Sequence, residues 1–136
     1  MINLGTKNVI LDQLDGWQPL YNEEKNIAKV ISNLRNISDY VLVCDDGSSD
    51  QTGVIAQNMG AIVITHAKNM GYGSAIASLF TKFTELDADI LVTFDADGQH
   101  RVEDISKLLE PIRNGTSDIV IGSRFLDKKT KIPNYR

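Results

Sequence analysis

A single cysteine, Cys44, cannot form an internal disulfide and fits a reducing compartment. Basic residues are not in excess either: the formal net charge is −4, which argues against a general nucleic-acid binder, since such domains carry a basic face. No apolar run approaches the roughly 18 residues that a membrane span needs. The opening stretch MINLGTKNVILDQLDGW has no basic segment leading into a long apolar one, so no secretory signal is expected and the expected location is cytoplasmic. Internal repeats and low-complexity segments are missing as well. What is there is 136 residues, 42% hydrophobic and 24% charged, enough for one soluble domain with a buried core.

Helical and strand periods alternate from residue 22 onward. NEEKNIAKVISNL places Ile27, Val30, Ile31 and Leu34 on one helical stripe, with Asn22 as N-cap. YVLVC (40–44) is a short continuous apolar run that ends in the turn DDGSSD. A short helix closed by Gly60, a buried strand AIVITH (61–66) and a helix with Ile76, Leu79, Phe80 and Phe83 follow. DILVTF (89–94) is a third strand, Val102, Ile105, Leu108, Leu109 and Ile112 mark another helix, and DIVIGS (118–123) is a fourth strand. Unalternating strands between amphipathic helices indicate an α/β fold whose mainly parallel sheet is covered on both faces. The first strand is atypical: VIL (9–11) runs into DQLDGWQP, a poor strand, in which Trp17 reads as a partly buried cap.

In such sheets ligands gather at the carboxyl ends of the strands, and the acids of this chain sit there. Asp45 and Asp46 follow YVLVC, and Asp95 and Asp97 follow DILVTF. With extended backbone, Asp95 and Asp97 project to one side of the small Ala96, and their mutual repulsion is relieved by a bound cation. Oxygen ligands favour Mg²⁺ or Mn²⁺; the competing reading is a solvated acidic turn. DDGSSD is a tight turn in its own right, with Asp50 as a helix cap, although one of the acidic pair can accept hydrogen bonds from a base or ribose. The two glycines of HAKNMGYGSA (66–75) stand where backbone amides can meet an anion. His66 and His100 are candidate metal ligands, but with no Cys/His cluster beside it His66 reads better as a satisfied strand-end histidine. Arg124, in GSRF, suits a phosphate or diphosphate, or else a surface salt bridge to one of the same acids.

PLYNEE (19–24), VCDDGSSDQT (43–52), NMGYGSA (69–75), FDADGQH (94–100) and GSRF (122–125) stand in the order and spacing of family-2 glycosyltransferases. The chain resembles, within them, the branch of dolichyl-phosphate mannose and glucose synthases, and the resemblance spans roughly residues 18–136. It implies a GT-A fold, a Rossmann-like three-layer α/β/α arrangement. It implies that Pro19, Tyr21 and Glu23 pack around the nucleotide base and ribose, and that Asp46, with Asp45 beside it, contacts the base. By the same resemblance Asp95 and Asp97 reach the ribose and a metal-bound diphosphate across Ala96, Gln99 is a further metal ligand, and Arg124 lies near the phosphates. Asp97 and Arg124 are then the catalytic pair. The implied reaction is metal-dependent, inverting transfer of a hexose from a GDP- or UDP-sugar to a polyprenyl or dolichyl phosphate.

The implied domain plan has an atypical segment at 1–18, a nucleotide-sugar-binding domain at 19–126 and a basic polar tail at 127–136. The family's acceptor-side region and membrane-associating helices, expected after IPNYR, are absent, so the chain reads as a catalytic-domain fragment that meets the cytoplasmic membrane face only through missing regions. An unpaired strand edge at the N-terminal segment suggests a homodimer. Three rivals are weaker, a catalytically silent fragment of this fold aside. A receiver-like Mg²⁺ signalling module needs a lysine where DIVIGSRF has arginine. A nucleotidyltransferase needs a basic, glycine-rich first loop, and a dinucleotide-binding dehydrogenase needs its first-turn glycines.

Overall fold

The computed structural model describes residues 8–14, 23–94 and 100–123, with side chains from residue 27 onward. Two compact units divide the chain, Met1–Val102 and Glu103–Arg136. In the first, β1 (Asn8–Leu14), α1 (Glu23–Arg35), β2 (Tyr40–Asp45), α2 (Thr52–Asn58), β3 (Ile62–Thr65), α3 (Tyr72–Glu85) and β4 (Ile90–Phe94) follow one another. The four strands are all parallel and lie in the order β3-β2-β1-β4. This is the first part of the doubly wound Rossmann order. A flavodoxin-like receiver instead places its third strand beside its first, so the signalling-module reading fails on topology.

The atypical first strand is the main correction to the sequence reading. β1 is regular over seven residues and central, with Leu11 aligned to Leu42 on one side and to Thr93 on the other. Ladder hydrogen bonds on two sides come from the backbone and hold whatever the side chains, which is why Asp12 and Gln13 do not end the strand. The unpaired edge expected at the N-terminal segment is not found on β1, both of whose edges are used.

β2 is the strand the sequence describes best. Val41, Leu42, Val43 and Cys44 are all buried, as a central parallel strand requires. Alternate residues face opposite sides: Leu42 and Cys44 pack against Ala75 and Leu79 of α3. The other face is covered by α1 and α2, whose buried hydrophobic residues are Ile27, Ile31, Leu34 and Ala56. Helix α1 buries three of its four expected positions. In α3 the buried pair is Ala75 and Leu79, which turns Phe80 outward to 48% exposure. β3 is an edge strand and only partly covered, not the buried strand expected.

The second unit contains α4 (Ile105–Arg113), with Ile105 and Leu109 buried, preceded by a 3₁₀ turn over Val102–Asp104. Residues 118–123 form no strand here, contrary to expectation. Ile119 and Ile121 are 80% and 84% exposed. β-propensity describes fitness for a pleated, half-buried surface, and without a ladder partner among the described residues it produces no strand.

Candidate functional site

β1 connects to β2 and β3 on one side, and the chain then crosses to place β4 on the other side of β1. The topological switch point of the sheet is thus at the carboxyl ends of β1 and β4, the general location of ligands in such folds. β4 ends at Phe94, immediately before DADGQ. The rings flanking that segment, Phe94 and His100, meet edge to face with centroids 5.6 Å apart. Asp95, Ala96, Asp97 and Gln99 themselves lie outside the described residues, as do Pro19, Tyr21, Arg124, Trp17 and Asn22. Glu23 is the first residue of α1.

The acidic pair after β2 is fully described, and its two members do different things. Asp45, the last residue of β2, is 7% exposed. Its Oδ1 accepts hydrogen bonds from the Ser48 amide at 2.9 Å and from the Ser48 hydroxyl. Its Oδ2 lies over Gly53 in the first turn of α2, where a Cβ would come within 2.5 Å of that oxygen. Asp50 accepts from the Thr52 amide at 3.0 Å, but the N-cap position expected of it belongs to Gln51. Thr52 Oγ1 is buried beside this turn without a hydrogen-bond partner among the described residues.

Asp46 faces inward and is completely buried. Its Oδ1 accepts from the Met70 amide at 2.9 Å and pairs with His66 Nδ1 at 2.6 Å, while its Oδ2 accepts from the Gly71 amide at 2.7 Å. Burial by itself would raise its pKa. The Met70 amide, the His66 ring, the Gly71 amide and the imidazole's charge outweigh it, and the carboxyl is held below its ordinary range. An ionised carboxylate only accepts, so His66 carries its proton on Nδ1. Nε2 then faces the Ser78 hydroxyl at 2.9 Å, with Cys44 Sγ at 4.0 Å. Burial, followed by the charges of Asp46 and Asp45, pushes the Cys44 thiol up to about 11, so it stays protonated at neutral pH.

One expectation is supported and another changes. Both ring nitrogens of His66 have protein partners, which supports its reading as a satisfied strand-end histidine. The amides of the two-glycine turn do meet an anion at Met70 and Gly71, but it is the protein's own Asp46. Ser48, Ser78 and the Asp46–His66 contact were not foreseen. Their signal is the register of β2 on β3, which pairs Cys44 with Ile64 and Asp45 with Thr65 and so brings the next residues, Asp46 and His66, together. Among the described residues no group of three or more His, Cys, Asp or Glu side chains forms a metal cluster.

Residues 19–136 match the family model "Glycosyl transferase family 2", and the chain belongs to that family. It is 41% identical, over 129 residues, to the UDP-N-acetylglucosamine–dolichyl-phosphate N-acetylglucosaminyltransferase of Methanococcus voltae, covering 82% of this chain and 51% of that one. It is 38% identical to the dolichol-phosphate mannosyltransferase of Pyrococcus furiosus, covering 86% of this chain and 34% of that one. The chain thus spans between a third and a half of the length of these curated relatives. Among solved structures, glucosyl-3-phosphoglycerate synthase from Mycobacterium tuberculosis, in complex with Mn²⁺, UDP-glucose and phosphoglyceric acid, superposes with a TM-score of 0.61. At 24% identity, over 83% of this chain and 41% of the other, that likeness establishes the GT-A-like fold.

Proposed function

We propose that this chain forms the nucleotide-sugar-binding part of a glycosyltransferase that moves a hexose from a GDP- or UDP-sugar to a polyprenyl or dolichyl phosphate, with inversion. The observation that carries the reading is where β4 ends. In a chain of this family, the strand that opens the switch point leads directly into Asp95-Ala96-Asp97. Two carboxylates and the Gln99 amide oxygen are a hard donor set, suited to Mg²⁺ or Mn²⁺ and unsuited to soft metals. A divalent ion held there supplies charge neutralisation for the departing nucleoside diphosphate. Arg124 adds forked donors to the same phosphates. Pro19, Tyr21 and Glu23 enclose the base and ribose, with Asp45 of the acidic pair contacting the base. Asp46, which the resemblance also put there, is withdrawn from that role because it is completely buried and both its oxygens have protein partners. A lipid-phosphate oxygen is already anionic, so the attack needs no strong general base. Among the described residues no helix is long and apolar enough to cross a membrane; contact with the cytoplasmic membrane face falls to other regions.

Calorimetry with UDP and with GDP tests this. Mn²⁺ is expected to tighten binding of one of them, and Asp97→Asn to abolish the metal effect while leaving the circular dichroism spectrum unchanged. Equal affinity with and without Mn²⁺ would refute the metal-bridged site.

A further inference from the structure

The buried carboxylate of Asp46 has no task in the reaction just proposed, yet it binds together three parts of the unit. Through the Met70 and Gly71 amides it holds the turn that precedes α3. Through His66 it reaches the end of β3, and His66 in turn reaches Ser78 on α3. The His66 amide also donates to the Asp45 carbonyl at 2.9 Å, so the two loops are joined by backbone as well. Gly47 lies directly on the other loop: a Cβ there would come within 2.7 Å of the Asn69 nitrogen and the Lys68 carbonyl carbon.

Serine, histidine and aspartate in this order have the contacts of a hydrolytic triad, but the surroundings do not suit one. Ser78 sits in the middle of α3. The nearby amides that might stabilise an oxyanion, those of Met70 and Gly71, are already committed to Asp46. The arrangement instead fixes backbone. We propose that Asp46, His66 and Ser78 form a positioning relay for the nucleotide site, in which Asp46 never touches the ligand but fixes the 69–71 turn beside Asp45. His66 is the positioning residue at its centre. The inference rests on the nucleotide-binding reading given above. Its physical basis is preorganisation: a turn fixed before the ligand arrives does not lose its conformational freedom on binding.

Two measurements on the whole chain test the relay. Removing a buried, charge-assisted hydrogen bond is worth about tenfold in an equilibrium. His66→Ala should therefore speed hydrogen exchange at the Met70 and Gly71 amides about tenfold while amides of α1 remain as protected as before. The Kd for UDP or GDP with Mn²⁺ should weaken by about the same factor. His66→Asn, which keeps a side-chain N–H near the position of Nδ1, should restore most of both. Ser78→Ala, which leaves the Asp46 contact intact, should cost only about threefold. Exchange that accelerates equally throughout, with no rescue by asparagine, would reduce His66 to an ordinary stabilising residue. Tight nucleotide binding by the wild type and by His66→Ala alike would overturn the relay alone. A wild type that binds neither nucleotide would overturn the site reading and the relay with it.

Discussion

A carboxyl group removed from water protonates more easily, yet Asp46 is held ionised by two amides and an imidazole. Because its folded pKa lies below the unfolded value of about 3.9, it contributes stability above that pH, and the contribution is lost as pH falls through the folded pKa. Urea unfolding between about pH 5 and pH 3 should show the midpoint falling with acid, with a shallower fall in Asp46→Asn. His66 and Cys44 are the titratable groups that interact with it, and Cys44 does not titrate in that window. At this scale the sequence revealed which residues are acidic and that they end a strand. It did not reveal that the two buried acids hold different partners, Asp45 the Ser48 turn and Asp46 the loop that precedes α3. That distinction depends on a pairing twenty positions along the chain, Asp46 with His66, set by strand register. Asp95, Asp97 and Gln99 are legible by contrast because their spacing is local, and spacing survives without a fold.

Between elements, the loops that follow β2 and β3 are pressed together. Gly47 has φ of +80°, and its neighbour across the gap is backbone, which cannot swing aside as a side chain could. Gly47→Ala should therefore cost more than about 1 kcal/mol in denaturant unfolding, since alanine tolerates that φ poorly and the new methyl group has no room. A variant as stable as the wild type would show that the loops are free to separate. The amphipathic stripes of α1 and α3 were readable from periodicity, because helix burial repeats every few residues along one segment. The exposure of Phe80 was not, since which of two adjacent stripes faces the sheet depends on Leu42 and Cys44 on another strand. The segment 118–123 fails for the same reason: a strand is a property of two segments, and the sequence displays one at a time.

For the molecule as a whole, the decisive element is the one the sequence describes least well. β1 joins β2 to β4, and without it the sheet falls into two pieces. Leu11→Pro removes an amide from the middle of a strand paired on both sides, and proline is not tolerated there. The variant should lose its cooperative thermal transition by circular dichroism; a wild-type melt would contradict the central placement of β1. An apolar run is the usual mark of a central parallel strand, and Asp12 and Gln13 interrupt it, so the rule missed this one. The placement of β1 also sets the order of assembly. Asn8 is aligned with Ile90, so this strand is completed only by a partner far along the chain. Until residues 90–94 have been synthesised, one edge of β1 has no β4 to receive it, and the nascent chain carries that edge open.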